Sequence, residues 1–282
     1  MSDSDSALWT SEDDLCVRRL QSAMGNEDLL SALLAIERAP EHRAQELRAQ
    51  LLEWARAVRE ILRDDTKGPA ALLAGIRGVL ADTADFRGDA CDYYASHNSV
   101  LSTVIERRRG QPILLASVWI IVARMADLAI AGVGLPGHFI VRVGGEQGVL
   151  ADPFNAGRPL TEMDCAEIVS ELSGGALPWE PNYLTPANTR AICERVLRNI
   201  ANASRRAKDW PAMYWAVRVL AEVRDDDVGA ALLHARMAEQ LGAVSLARRL
   251  YERIVERFTG SSEATVATRR LQIVMTAEDA LH

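Results

Sequence analysis

The stretch GLPGHFIVRV, Gly134 to Val143, puts one of only five histidines at the head of an otherwise apolar run. Nine residues after Val143, ADPF sets Asp152 at the end of a second short apolar run. An imidazole held by a carboxylate is a general base with fixed tautomer and orientation, the equipment of acyl transfer and amide hydrolysis. That chemistry calls for a thiol at the start of a helix, where the positive helix end lowers its pKa and the imidazole takes its proton. His138 and Asp152 suit the last two roles. The most apolar helix, however, opens with Gly110, Gln111, Pro112 and Ile113, and no thiol or hydroxyl follows until Ser117, more than a turn inside.

These groups meet only if the chain brings them together. At His138 the hydrophobic period changes from helical to two. In HFIVRV, Phe139, Val141 and Val143 point one way and His138, Ile140 and Arg142 the other. GGEQG is a turn, and VLADPF returns as a second strand. Positions 138 and 152 sum to 290, so pairing Val143 with Gln147 sets His138 opposite Asp152 across a three-residue loop, Gly144 to Glu146. A one-residue slip would send the two side chains to opposite faces.

The rest of the chain reads as mostly helical. PILLASVWIIVA, Pro112 to Ala123, is apolar on every face and is closed by Arg124. Twelve residues fall short of the roughly 20 that cross a bilayer, so this is a buried core helix. Helices are expected from about residue 20 to 65, with Leu47, Leu51, Trp54, Val58 and Leu62 on one stripe, and again from Pro69. FRGDACDYY is an ordered loop, followed by a helix capped by Asn98 or Ser99 and closed by Gly110. After Thr185 the chain is helical again. Ala235, Ala247 and Tyr251, around a break at Gly242, fit one tetratricopeptide-like helix pair of ~34 residues. The organisation expected is a loosely ordered segment 1–20, a mixed domain 21–180 and a helical domain 181–282.

Taken together, several motifs resemble the SirB-type proteins, a branch of the transglutaminase-like superfamily. They are Phe86, Gly88, Tyr93 and Tyr94; Asn98, Ser99 and Leu101; Arg108, Arg109, Gly110 and Pro112; Leu135 to Phe139; and Asp152, Pro153, Phe154 and Gly157. The resemblance covers roughly residues 30 to 260. It implies an α+β fold: a papain/transglutaminase-like core with a buried central helix against a small antiparallel sheet, a helical N-terminal segment and C-terminal tetratricopeptide-like helices. Active members use Cys, His and Asp. Here His138 and Asp152 match the last two, while the cysteine position falls at or beside Pro112 and is empty. The function implied is a non-catalytic or residual-activity protein acting as a regulatory, protein-interaction module. The alternative is a hydrolase or acyl-transfer enzyme with a non-standard mechanism using His138 and Asp152.

Each residue has a plainer reading beside the functional one. His138 is either a residual base in a cleft or a core histidine bonded to Asp152, and Asp152 is either its partner or a turn former capping backbone amides. Arg142 either binds a carboxylate or snorkels to solvent. Asn98 and Tyr94 are ligand contacts or loop anchors. Cys91 and Cys165 are the thiols to follow, although incidental cysteines far outnumber reactive ones.

Composition bounds the partners. A hydrophobic content of 49% and a charged content of 25% are those of a soluble globular protein. A net charge of −7 and a pI near 5.4 argue against nucleic acid or an anionic membrane. The N-terminus lacks the features of a signal peptide. Four scattered cysteines suggest neither a disulfide framework nor a zinc site, and a reducing cytoplasm is the expected home. No metal or cofactor is expected, and the C-terminal helices are the expected surface for a protein partner.

Overall fold

The structure is a computed structural model, and it describes residues 9–63 and 68–279. The contacts divide the chain into two compact units. One is Ser22–Val196; the other joins the residues up to Gln21 to those from Leu197 onward. The sequence alone drew its break at 180.

The described part begins with α1 (Ser11–Gly25). Residues 1–8 of the segment expected to be loosely ordered lie outside the described residues, but from Ser11 the chain is helical. The reason is a reciprocal cap: the Thr10 amide donates to Asp13 Oδ2 at 2.9 Å, and the Asp13 amide donates to Thr10 Oγ1 at 3.3 Å.

In the first unit, α2 (Leu29–Ile36) is capped by Asp28, and α3 (Glu41–Ile61) buries Leu47, Leu51, Ala55 and Val58. Next, α4 (Pro69–Arg77) runs on into a π-helical turn at Gly78–Thr83. A parallel pair of two-residue strands, β1 (Arg87–Gly88) and β2 (Arg109–Gly110), flanks α5 (Leu101–Arg107). Neither Asn98 nor Ser99 caps α5. Instead, the Glu37 carboxylate accepts from the Ser102 amide at 3.1 Å. The central helix α6 (Pro112–Met125) is buried at every residue from Pro112 to Ala123, as its all-round apolar pattern demands.

Five antiparallel strands run in the order β6–β5–β4–β3–β7, and the sheet packs on α6 through β4 and β3. They are β3 (Ile130–Leu135), β4 (His138–Val143), β5 (Val149–Asp152), β6 (Arg158–Leu160) and β7 (Pro186–Ala187). The β3–β4 turn is Pro136–Gly137, with Gly137 at φ +77°, a conformation that favours glycine. The β4–β5 hairpin corrects the expected register. Val143 pairs with Val149 and Arg142 with Leu150, so paired positions sum to 292 and the loop is Gly144 to Gly148. Because strand side chains repeat with a period of two, this even slip keeps His138 and Asp152 on one face as diagonal neighbours.

The far face of the sheet is covered by α7 (Glu162–Ser173). Its Cys165 and Val169 pack with Val133, Leu135, Ile140, Leu150 and Leu160. At Gly157 φ is +70°, and a Cβ there would stand 2.2 Å from the Trp119 ring of α6. Strain and overlap act together, so Gly157→Ala is expected to cost roughly 2–4 kcal/mol by denaturant unfolding. A cost below about 0.5 kcal/mol would show that the packing of Trp119 does not depend on this glycine.

Continuing the chain, α8 (Thr189–Ala207) has residues in both units. The second unit then stacks α9 (Trp210–Val223), α10 (Val228–Gln240), α11 (Val244–Arg257) and α12 (Ser262–Asp279), the last three each on the one before. Small residues let these helices approach: Ala235, Ala238, Ala247 and Ala267 are fully buried, and Tyr251 lies among them. Tyr251 donates to Glu239 at 2.7 Å, and Arg270 bonds the same carboxylate, so one acid ties three helices. His234 is buried with Nε2 3.3 Å from the Tyr214 hydroxyl. Burial, then the charges of Arg218 and Arg253, push its pKa down to about 3.

Candidate functional site

The first unit carries a cleft of about 800 Å³ at the start of β4. His138, Asp152, Phe154, Asn155 and Arg158 come from the sheet and the turn after β5. Ala90, Tyr93 and Tyr94 come from the loop after β1, and Ile168, Glu171 and Leu172 from α7.

At its centre His138 Nε2 lies 2.9 Å from Asp152 Oδ2. His138 is 8% exposed and Asp152 only 1%, so the carboxylate is sealed and the imidazole opens narrowly to the cleft. Asp152 accepts two further bonds, from Asn155 Nδ2 at 2.7 Å and from the Phe154 amide at 3.0 Å. Burial raises the Asp152 pKa. The hydrogen bond and charge of His138, with the donors of Asn155 and Phe154, outweigh that and hold it below the ordinary carboxylate value. Both readings of this residue therefore hold: Asp152 caps the turn Pro153–Asn155 and orients His138. Because Asp152 takes Nε2, the other ring nitrogen, Nδ1, has no hydrogen-bond partner among the described residues.

Phe154 shapes the floor. Its ring sits edge-on to His138 at 5.9 Å and to Tyr93 at 6.0 Å. A Cβ on Gly88 would come within 2.5 Å of the Phe154 ring, so glycine in β1 is what lets the ring lie down. The loop bearing Tyr93 and Tyr94 is anchored from behind. Asn98 is fully buried; it donates to Asp89 and to the Asp92 carbonyl, and accepts from Arg107. Gln111 donates to the Tyr93 carbonyl at 3.1 Å.

The candidate binding residues thus separate. Tyr94 lines the cleft, whereas Asn98 and Arg142 do not. Asn98 is consumed by the loop it ties down. The Arg142 guanidinium reaches the Leu184 carbonyl at 3.0 Å, fastening the turn Pro181–Leu184.

No thiol or aliphatic hydroxyl is among the residues lining the cleft. Pro112 is buried at the first turn of α6, and Ser117 is turned inward, donating to the Ile113 carbonyl at 2.7 Å. Cys91 is exposed directly after the cleft residue Ala90, but its sulfur makes no hydrogen bond to His138. Cys165 is buried beneath the sheet, where burial, then the charges of Asp164, Asp152 and Glu162, raise its pKa to about 11. Burial there overrides the helix N-terminus, and Cys165 is an inert thiol.

Sequence reasoning missed Asn155, the second orienting group, and the α7 wall. The first had a signal: an amide three residues after Asp152, across the kink set by Pro153, can fold back onto its carboxylate. The α7 residues had none, since only tertiary packing brings them to the cleft. Among the described residues no group of His, Cys, Asp and Glu could hold a metal ion, and no helix is long and apolar enough to cross a membrane.

A family model described as the transglutaminase-like superfamily matches residues 45–198. A UPF0162 protein of Xylella fastidiosa is 38% identical over 142 residues, 49% of this chain and 50% of that one. Another, from Pseudomonas aeruginosa, is 37% identical over 103 residues, 36% of this chain and 37% of that protein. The mouse F-box only protein 21 is 26% identical over 183 residues, 61% of this chain and 28% of its own. The chain spans about half the length of the Xylella relatives it matches. No solved structure matches it.

Proposed function

The chain belongs to the transglutaminase-like superfamily, and from that premise we propose that it is a binding member rather than a turnover member. In this reading it is a regulatory, protein-interaction module that retains the base and its carboxylate without a nucleophile. The observation that carries this is the composition of the cleft: His138 and Asp152 are paired at 2.9 Å, and no residue lining the space around them can form an acyl intermediate through sulfur or an aliphatic hydroxyl. An imidazole with one nitrogen fixed and the other open is still a good hydrogen-bond group for a ligand. Phe154 and Leu172 add apolar contact, and Arg158 and Glu171 offer both charges at the rim.

The helices from Trp210 onward suit the second half of the reading. Their alanine-lined contacts are compatible with tetratricopeptide-like pairs, and Leu233, Val266, Ile273 and Met275 leave apolar surface that would suit a protein partner. Four free cysteines favour a reducing, cytoplasmic setting.

A second reading is favoured by the openness of the cleft. Water held at the free nitrogen of His138 would serve as the nucleophile of a hydrolase that needs no cysteine. Incubating the purified chain with a peptide mixture and analysing it by mass spectrometry separates the two. Unchanged peptides support the binding module, and cleavage or cross-linking that disappears in His138→Ala gives the protein to the enzyme reading.

A further inference from the structure

A second cavity, of about 580 Å³, lies on the first unit outside the His138 cleft, between β3, the turn Pro181–Leu184 and the start of α8. Its walls include Gly134, Phe139, Asn182, Tyr183 and Thr185, and the one charged side chain lining it is Arg195. Arg195 stands one turn after Ala191, whose small side chain keeps that face of α8 open. Its Nη1 donates to the Leu135 carbonyl at 3.0 Å, and its guanidinium carbon lies 5.5 Å from the centre of the Phe139 ring. The backbone of Gly134 lies beside it, and a Cβ there would stand 3.4 Å from Nη1, in ordinary contact.

Among the described residues no carboxylate pairs with Arg195. The side chain is largely withdrawn from water, and burial lowers its pKa, opposed by the nearby Tyr93. A guanidinium in that position keeps most of its five donors unspent, and its planar fork matches the two oxygens of a carboxylate. We infer that this pocket binds a single carboxylate group, held in the plane of Arg195 above Phe139, with Asn182 and Thr185 within the same walls. One cation with no second positive group favours a monoanion over phosphate. The site goes beyond the proposed function and does not depend on it.

Amide chemical shifts of the full chain, followed by NMR, test the site with propionate, an N-acetyl dipeptide carrying a free C-terminus, the amide of that dipeptide, and inorganic phosphate. The expected result is that one or both acids shift the resonances of Asn182 and Thr185, while the amide binds at least roughly tenfold more weakly, as the loss of a charge-assisted fork predicts. The tighter acid identifies the source, a small organic acid or a peptide terminus. Arg195→Gln is expected to abolish the shifts. Arg195→Lys, which keeps the charge and loses the fork, should weaken them roughly tenfold with the unfolding midpoint retained. Silence with both acids, equal binding of acid and amide, tighter binding of phosphate, or shifts that survive in Arg195→Lys at full strength would each overturn the assignment. Resonances of Tyr94 and Asn155 report the His138 cleft separately, so failure here leaves the cleft reading standing.

Discussion

Asp152→Ala is expected to cost about 3–5 kcal/mol of folding stability, with the unfolding midpoint in urea falling accordingly. The carboxylate is 1% exposed and is the common acceptor for His138, Asn155 and the Phe154 amide. Removing it strands the buried imidazole of His138 and takes the acceptor from two part-buried donors, Asn155 and the Phe154 amide. His138→Ala should cost less, about 1.5–3 kcal/mol, because Asp152 keeps its two other partners. The ordering of the two costs is the informative result. Equal costs would mean that the pair is held by His138 and that the cap on the turn contributes nothing. The pH dependence has a definite sign. With its pKa held below the usual carboxylate value in the fold, Asp152 adds stability that is complete above that value and is lost as the pH falls through its folded pKa.

The second large effect lies in the helical unit and acts at higher pH. His234 has a folded pKa of about 3 against about 6.5 for an unfolded histidine, because it is buried and faces Arg218 and Arg253. Below pH 6.5 the unfolded chain takes up a proton that the folded one refuses. Stability contributed by the neutral ring is therefore full above that pH and declines as the pH falls toward 3, by roughly 3–5 kcal/mol in all. Between about pH 6 and 5 the contribution of this residue should approach a slope of about 1.4 kcal/mol per pH unit. His234→Gln keeps a hydrogen-bonding partner for Tyr214 and removes the titration, so its acid limb should be flatter by that amount. Parallel limbs for the two proteins would show that His234 is hydrated or free to turn out to solvent.

Much of the cleft was legible because it rests on local patterns. The switch of hydrophobic period at His138 located β4, and the return in VLADPF located β5. The register was read two residues short because glycines at 144, 145 and 148 permit several loop lengths. The contact survived only because the error was even. β3 escaped notice since Ala131, Gly132 and Gly134 give a strand little propensity of its own; pairing with β4 on one side and β7 on the other supplies what the residues do not. The helix at Ser11 was missed in an acidic, polar stretch, although Thr10 and Asp13 stood at the spacing of a capping box. Arg142 and Asn98 had the right chemistry and the wrong neighbours: their targets, Leu184 and the 89–92 loop, are set by tertiary packing. Pro112 was expected at the empty nucleophile position; the structure buries it in the first turn of α6, and it is not among the residues lining the cleft. Arg195 drew no attention in sequence because a charge on an amphipathic helix ordinarily faces water.

The central claim is that the His138–Asp152 cleft has lost its nucleophile, and labelling with reactive probes tests it most directly. The full chain and His138→Ala are incubated with an activated acyl ester and, separately, with a thiol alkylator, then compared by intact mass and peptide mapping. We expect no acyl adduct on any cleft residue, and alkylation of the exposed Cys91 at the same rate in both proteins. An adduct within the cleft that forms in the native chain and is absent from His138→Ala would contradict the claim.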